Sequence, residues 1–177
     1  MPDYRRAWHL GGTYFFTLNL LQRAGNDLLV QNVEALREAV RRVRKRHPFV
    51  IHGWVILPDY LHCVIELPER DADFALRWRL IRSTFSREIP PTEWRSPVRQ
   101  RRGERGIWQR RYWEHLIRDE TDFAAHMDYV HFNPAKHGLV ERVKDWPYST
   151  FHRLVERGVY PPDWAGSAGA DGVGYPD

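Results

Sequence analysis

The sequence predicts an α+β sandwich in which helices cover one face of an antiparallel sheet. Two observations lead there. The hydrophobic period alternates between two and 3.6 in the order strand, helix, strand, strand, helix, strand, helix. The second and third strands are separated only by the turn-forming pair Pro58-Asp59, which makes them a hairpin.

Residues 11–20, GGTYFFTLNL, alternate, with Tyr14, Phe16, Leu18 and Leu20 on one face and Thr13, Phe15, Thr17 and Asn19 on the other. From 31 to 46 the spacing turns helical: Val33, Leu36, Val40 and Val43 form one stripe, and the end of the segment is basic. HPFVIHGWVIL, 47–57, is the second strand and LHCVIEL, 61–67, the third. In DADFALRWRLIRSTFSREI, 71–89, Phe74, Trp78, Ile81 and Phe85 recur at helical intervals behind a capping Asp. RSPVRQRRGERGIWQRR holds seven arginines between 95 and 111 and no apolar period, which predicts an exposed loop. WQRRYWEHLIR follows as a fourth strand. A third helix, 119–133, has Phe123, Met127 and Val130 as its apolar stripe behind an Asp cap and is expected to stop at Pro134.

A chain of 177 residues holds one domain of ordinary size, expected over 1–165, with 166–177 a Gly-rich disordered tail. There is no internal repeat. Lys and Arg exceed Asp and Glu by 27 to 23, giving a net charge of +4 and a pI of about 9.4. Arginine dominates the excess, and its planar fork suits phosphate, so an acidic polymer is the favoured partner class. A single cysteine, Cys63, excludes an intrachain disulfide and a multi-cysteine zinc site, and its apolar setting makes it a buried thiol. No apolar run reaches the ~18 residues of a membrane span, and the first residues lack the apolar core of a secretory signal. The expected location is cytoplasmic, with no membrane partner.

Two groups of residues could carry chemistry. In DYVHFNP the helical spacing puts Tyr129 and Asn133 on one face, four residues apart and turned away from the Phe123, Met127 and Val130 stripe. In LPDYLHCVIELP, Tyr60 and His62 share one face of a strand. Alone, the first pair reads as a half-buried tyrosine with an Asn finishing a helix, and the second as a histidine at a sheet surface.

Taken in succession, PDYLHCVIEL, WQRRYWEHLIRD, YVHFNPAKHGLV and DWPYSTFHR resemble the REP-associated tyrosine transposases, relatives of the small single-tyrosine insertion-sequence transposases, over roughly residues 8–162. The resemblance implies a ferredoxin-like fold whose C-terminal helix carries a nucleophilic tyrosine. It also implies a His-hydrophobic-His motif on a central strand, and cleavage and rejoining of single-stranded DNA near imperfect hairpins, by a monomer or homodimer. Position by position it makes Tyr129 the nucleophile, Asn133 an amide ligand of a divalent metal (Mg²⁺ or Mn²⁺) and His62 the second motif histidine. Tyr60 stands where the first would be.

That substitution leaves one imidazole and one amide, and a neutral phenol is a poor ligand for a hard cation, so metal affinity should fall. Substrate phosphate and water, a water-bridged Tyr60, or Glu66 or His52 leaning in could each compensate. The expected function is metal-assisted transesterification through a 5′-phosphotyrosine. The alternative is a hairpin-binding protein on the same fold that has lost cleavage; an RNA-binding sheet lacks its aromatic pair. The residues expected to meet DNA are Arg41, Arg42, Arg44 and Lys45 on the first helix and Arg99, Arg101, Arg102, Arg105, Arg110 and Arg111 in the loop. Lys136, His131 and His137, near the tyrosine, either bind phosphate or cap the helix.

Overall fold

The computed structural model describes residues 8–167, so the expected disordered tail lies, from residue 168 on, outside the described residues. Four strands, β1 (Thr13–Asn19), β2 (Val50–Ile56), β3 (Tyr60–Glu66) and β4 (Trp113–Leu116), form one sheet in the order β2-β3-β1-β4. Every neighbouring pair is antiparallel. A one-turn helix α1 (Leu28–Gln31) and then α2 (Val33–Arg46) follow β1, and α3 (Phe74–Glu88) follows β3. This is the strand-helix-strand-strand-helix-strand pattern of the ferredoxin-like sandwich.

Alternation along each strand divides the interior in two. Tyr14, Phe16 and Leu18 of β1 and Leu61, Cys63 and Ile65 of β3 pack with Leu36, Val40 and Val43 of α2 and Phe74, Trp78, Ile81 and Phe85 of α3. Asp73 caps α3, its carboxylate accepting from Leu76 N at 2.8 Å. Cys63 is buried in this layer, and burial raises its thiol pKa.

The opposite sheet face carries Phe15, Val55, Tyr60 and Val64, and it is covered too, by α5 (Glu120–Lys136), which Asp119 caps through Asp122 N at 2.8 Å. The two expected sandwich helices therefore lie on one face, and the C-terminal helix closes the other. Gly53 permits that closure, because a Cβ there would meet Met127 Sδ of α5 at 2.8 Å. Beyond α5, Trp146 Nε1 donates to Ile56 O at 2.9 Å and Thr150 N to Trp54 O at 2.9 Å, strapping the free edge of β2 before α6 (Phe151–Glu156).

Three expectations need correction. Pro134 does not end its helix, which continues to Lys136. At this position the ring removes one donor near a terminus already closed by Gly138 (φ +68°), with Gly138 N on Ala135 O and Leu139 N on Pro134 O. The 95–111 segment is not wholly irregular, since Ser96 caps a short helix α4 (Pro97–Arg101). The fourth strand is four residues long, with Trp108 contributing an isolated bridge to Leu20.

Candidate functional site

The site lies where β3 meets α5. Tyr60 and His62, two apart on one strand face, look toward the helix and away from the Leu61, Cys63 and Ile65 core. Tyr129 and Asn133, one turn apart on α5, look back at them. The Tyr60 hydroxyl donates to Asn133 Oδ1 at 2.9 Å. The rings of His62 and Tyr129 are 5.2 Å apart, and those of Tyr60 and His62 5.0 Å, edge to face. Phe15 of β1 stacks on His62 at 5.4 Å and meets Tyr129 at 5.8 Å, walling the inner side.

All four side chains that the resemblance singles out therefore converge, but not as the helical spacing alone had it. Tyr129 (1% exposed) and Asn133 (0%) face inward with Met127 and Val130 instead of away from them. Helix α5 is buried between the sheet and the C-terminal strap, where His131 Nε2 meets Thr150 Oγ1 at 2.7 Å, so its inward face is wider than a single apolar stripe. The same contact, with Nδ1 at 2.7 Å from Met127 O, places His131 in the interior and not at a phosphate.

His62 is held by its cross-strand partner Thr17, whose Oγ1 lies 2.7 Å from Nδ1. Its pKa falls to about 3, chiefly because burial penalises the imidazolium, and further because a charge on it would be repelled by His137, Lys136 and Arg23. His62 is thus a neutral imidazole across the physiological range. When Nδ1–H donates to Thr17, Nε2 keeps its lone pair.

Two cations border the site. Lys136 Nζ lies 5.0 Å from the centre of the Tyr129 ring, and Arg23 Cζ 5.0 Å from that of Tyr60. Arg23 was missed from sequence: it sits in a polar connection, and only folding brings its Nε to Asp59 Oδ2 at 2.7 Å, in the turn before Tyr60. His52 and Glu66 do not lean in. They pair with each other at 2.7 Å, and Glu66 is four residues from His62, about 13 Å along the strand.

A neutral His62 Nε2 and the second lone pair of Asn133 Oδ1 suit a divalent cation that takes its remaining ligands from phosphate and water. No carboxylate reinforces them, and Tyr60 already occupies one lone pair of the amide oxygen.

A second His/Asp group, not expected from sequence, ties β4 to the start of α5. His115 Nε2 is 2.8 Å from Asp122 Oδ2, and His126 Nδ1 is 2.8 Å from Asp122 O and 3.1 Å from Oδ1. The imidazoles stack at 4.5 Å with planes 15° apart, and rings so nearly parallel cannot both aim an in-plane lone pair at one ion without turning. In this arrangement it is a hydrogen-bonded staple.

The basic residues divide. On the sheet side away from Tyr129, Arg41 pairs with Glu38 at 3.3 Å, Arg42 with Glu38 at 2.9 Å and Glu88 at 3.0 Å, and Arg44 Nε donates to Phe49 O at 3.0 Å. Lys45 is exposed on α2. In the loop, Arg105 is turned inward onto the Glu93 carboxylate and the carbonyls of Ser86, Ile89 and Pro90. Arg99 lies 4.0 Å from Glu104 and Arg110 is bonded to it at 3.0 Å, while Arg101, Arg102 and Arg111 are exposed.

No family model matches the chain. It is 46% identical over 166 residues to an Escherichia coli REP-associated tyrosine transposase, covering 94% of this chain and 92% of that protein. A second relative, from Haemophilus influenzae, is 46% identical over 169 residues, covering 94% of this chain and 95% of that protein. A solved structure of a REP-associated tyrosine transposase bound to a REP hairpin superposes with a TM-score of 0.81 at 46% identity, over 94% of this chain and 93% of that one. With most of both chains matched at this identity, the protein belongs to the REP-associated tyrosine transposases.

Proposed function

We propose that this protein binds hairpin-bearing single-stranded DNA, cleaves it through Tyr129 with the aid of a divalent metal, and rejoins it. The observation that carries the reading is the convergence of Tyr129, His62 and Asn133 between β3 and α5, beside Lys136. The related protein bound to a REP hairpin supports the substrate class.

In this reading the Tyr129 oxygen attacks the scissile phosphorus. The Tyr129 O–P bond forms, the P–O3′ bond breaks, the phenolic proton passes to water, and the departing 3′ oxygen takes up a proton. The product is a 5′-phosphotyrosine and a free 3′ hydroxyl, and attack by a 3′ hydroxyl reverses the step. His62, with a pKa near 3, is too weak a base to take the phenolic proton at neutral pH and acts as a neutral ligand. A metal held by His62 Nε2 and Asn133 Oδ1 would supply Lewis-acid polarisation of the phosphate. Lys136 provides positive charge where the phosphate's negative charge gathers. Asn133 Nδ2, buried and with no acceptor among the described residues, is a donor for a phosphate oxygen.

A second reading, hairpin binding without cleavage, is favoured by the same Tyr60–Asn133 bond and by the burial of Tyr129, both of which must yield before a phosphate reaches the phenol. Incubation with a single-stranded hairpin oligonucleotide and Mn²⁺ separates the two. A covalent 5′ adduct, lost in Tyr129→Phe, supports cleavage; tight hairpin binding with no adduct supports binding alone.

A further inference from the structure

Trp94 is 71% exposed, the most exposed large hydrophobic side chain among the described residues. Leaving an indole in water forgoes its burial energy, and single exposed apolar residues are ordinary unless their surroundings are built. Here they are. Glu93, directly before Trp94, is clamped by Arg105, whose Nη2 donates to Glu93 Oε2 at 2.9 Å and to Pro90 O at 3.0 Å. Ser96, two residues after Trp94, caps α4, and Gln100 Nε2 donates to Arg95 O at 3.0 Å. Ile107 anchors the far end of the segment in the core, where its carbonyl accepts from Leu21 N at 2.8 Å. The backbone on both sides of Trp94 is thus fixed while its ring points to solvent. Seven and eight residues further along the chain, Arg101 at the end of α4 and Arg102 just after it are exposed.

We propose that Trp94 is a stacking platform for an unpaired base of the bound DNA strand outside the hairpin loop, with Arg101 and Arg102 taking the adjoining phosphates. The proposal rests on the DNA-binding reading above and gives it a determinant of preference for single-stranded segments over the duplex stem. An exposed indole on a held backbone offers an open face to any base, whereas bases within a duplex are already stacked on their neighbours. Exposed arginines in the same segment neutralise the backbone without reading sequence. Preorganisation by the Glu93–Arg105 clamp lowers the entropy lost when the base docks.

The test compares two oligonucleotides with the same stem, one blunt and one with an unpaired 5′ extension, and a third that is unstructured, against the parent, Trp94→Ala and Trp94→Phe. Position 94 is exposed, so both variants should fold as the parent does. Trp94→Ala is expected to weaken binding to the extended hairpin and the unstructured strand by roughly 5- to 150-fold, the range for loss of one base–aromatic stack. Binding to the blunt hairpin should stay unchanged, Trp94→Phe should keep most of the affinity, and the salt dependence should keep its slope, because no phosphate contact is lost. No loss in Trp94→Ala, or an equal loss on the blunt hairpin, overturns the platform. A parent that ignores both hairpins yet binds the unstructured strand in a Trp94-dependent way retains the platform and overturns the hairpin reading; a parent that binds none of the three overturns both.

Discussion

The Tyr60 hydroxyl donates to Asn133 Oδ1 at 2.9 Å, across 73 residues of sequence and between two different elements. The phenol at the first position of the motif is therefore engaged with the very amide that would complete a metal site. A histidine at 60 would add a ligand and also release that oxygen.

Tyr60→His is accordingly expected to bind Mn²⁺ more tightly than the parent, and to cleave a hairpin oligonucleotide better at low metal concentration, with the gain shrinking at saturation. Tyr60→Phe frees the Asn133 oxygen without adding a ligand and should fall between the two. Calorimetric Mn²⁺ titration of the three proteins checks the order; poorer binding in Tyr60→His would show that the phenol has a positive role at the site.

Thr17 orients His62 from the strand opposite, through the 2.7 Å contact to Nδ1. Thr17→Val keeps the side-chain shape and strands a buried ring nitrogen, at a cost of about 1–3 kcal/mol. Thermal unfolding should register that loss. Adduct formation should drop further than the lower stability explains, measured at a temperature where both proteins are fully folded.

Asp122 anchors the His115–His126 staple. Burial alone would raise its pKa, but hydrogen bonds from His115 and from Arg118 N prevail and hold it at about 2, below its usual 3.8. Between those two values the unfolded chain binds the proton and the folded protein does not, so the stabilisation is complete above about pH 4 and is lost as pH falls towards 2. The shift corresponds to about 2 kcal/mol. Asp122→Asn should flatten that part of the stability–pH curve, as read by denaturant melts between pH 2 and 6.

Arginines in one segment should divide by role. Arg105→Ala removes the donor to Glu93 and to the carbonyls of Ser86, Ile89 and Pro90, the last of which keeps Thr92 N, and should lower stability by about 1–3 kcal/mol. Replacing the exposed Arg101, Arg102 and Arg111 together should leave the melting temperature nearly unchanged. It should also reduce the slope of log K against log salt by about 2 on single-stranded DNA, if each side chain neutralises one phosphate. An unchanged slope would place these residues away from the strand.

The sequence by itself determined the four strands and the three long helices, because periods of two and 3.6 follow directly from strand and helix geometry and are written locally, whereas the short helices α1, α4 and α6 carry no such period. Alternation in GGTYFFTLNL and the stripe of Phe74, Trp78, Ile81 and Phe85 located β1 and α3, with their buried residues, to within a few positions. Tyr60 and His62 were legible as a same-face pair for the same reason. The direction Tyr129 faces was not, since a helix buried on two sides carries polar residues inward as well as apolar ones, and its true face depends on the sheet and on the strap that holds it. Pro134 read as a stop because a local rule has no knowledge of the Gly138 cap that closes the helix just beyond it. Only the tertiary structure could give Tyr60 to Asn133, Arg23 to Asp59, Arg105 to Glu93 and His115 to Asp122, because a hydrogen bond depends on position and orientation in space and leaves no period in the chain.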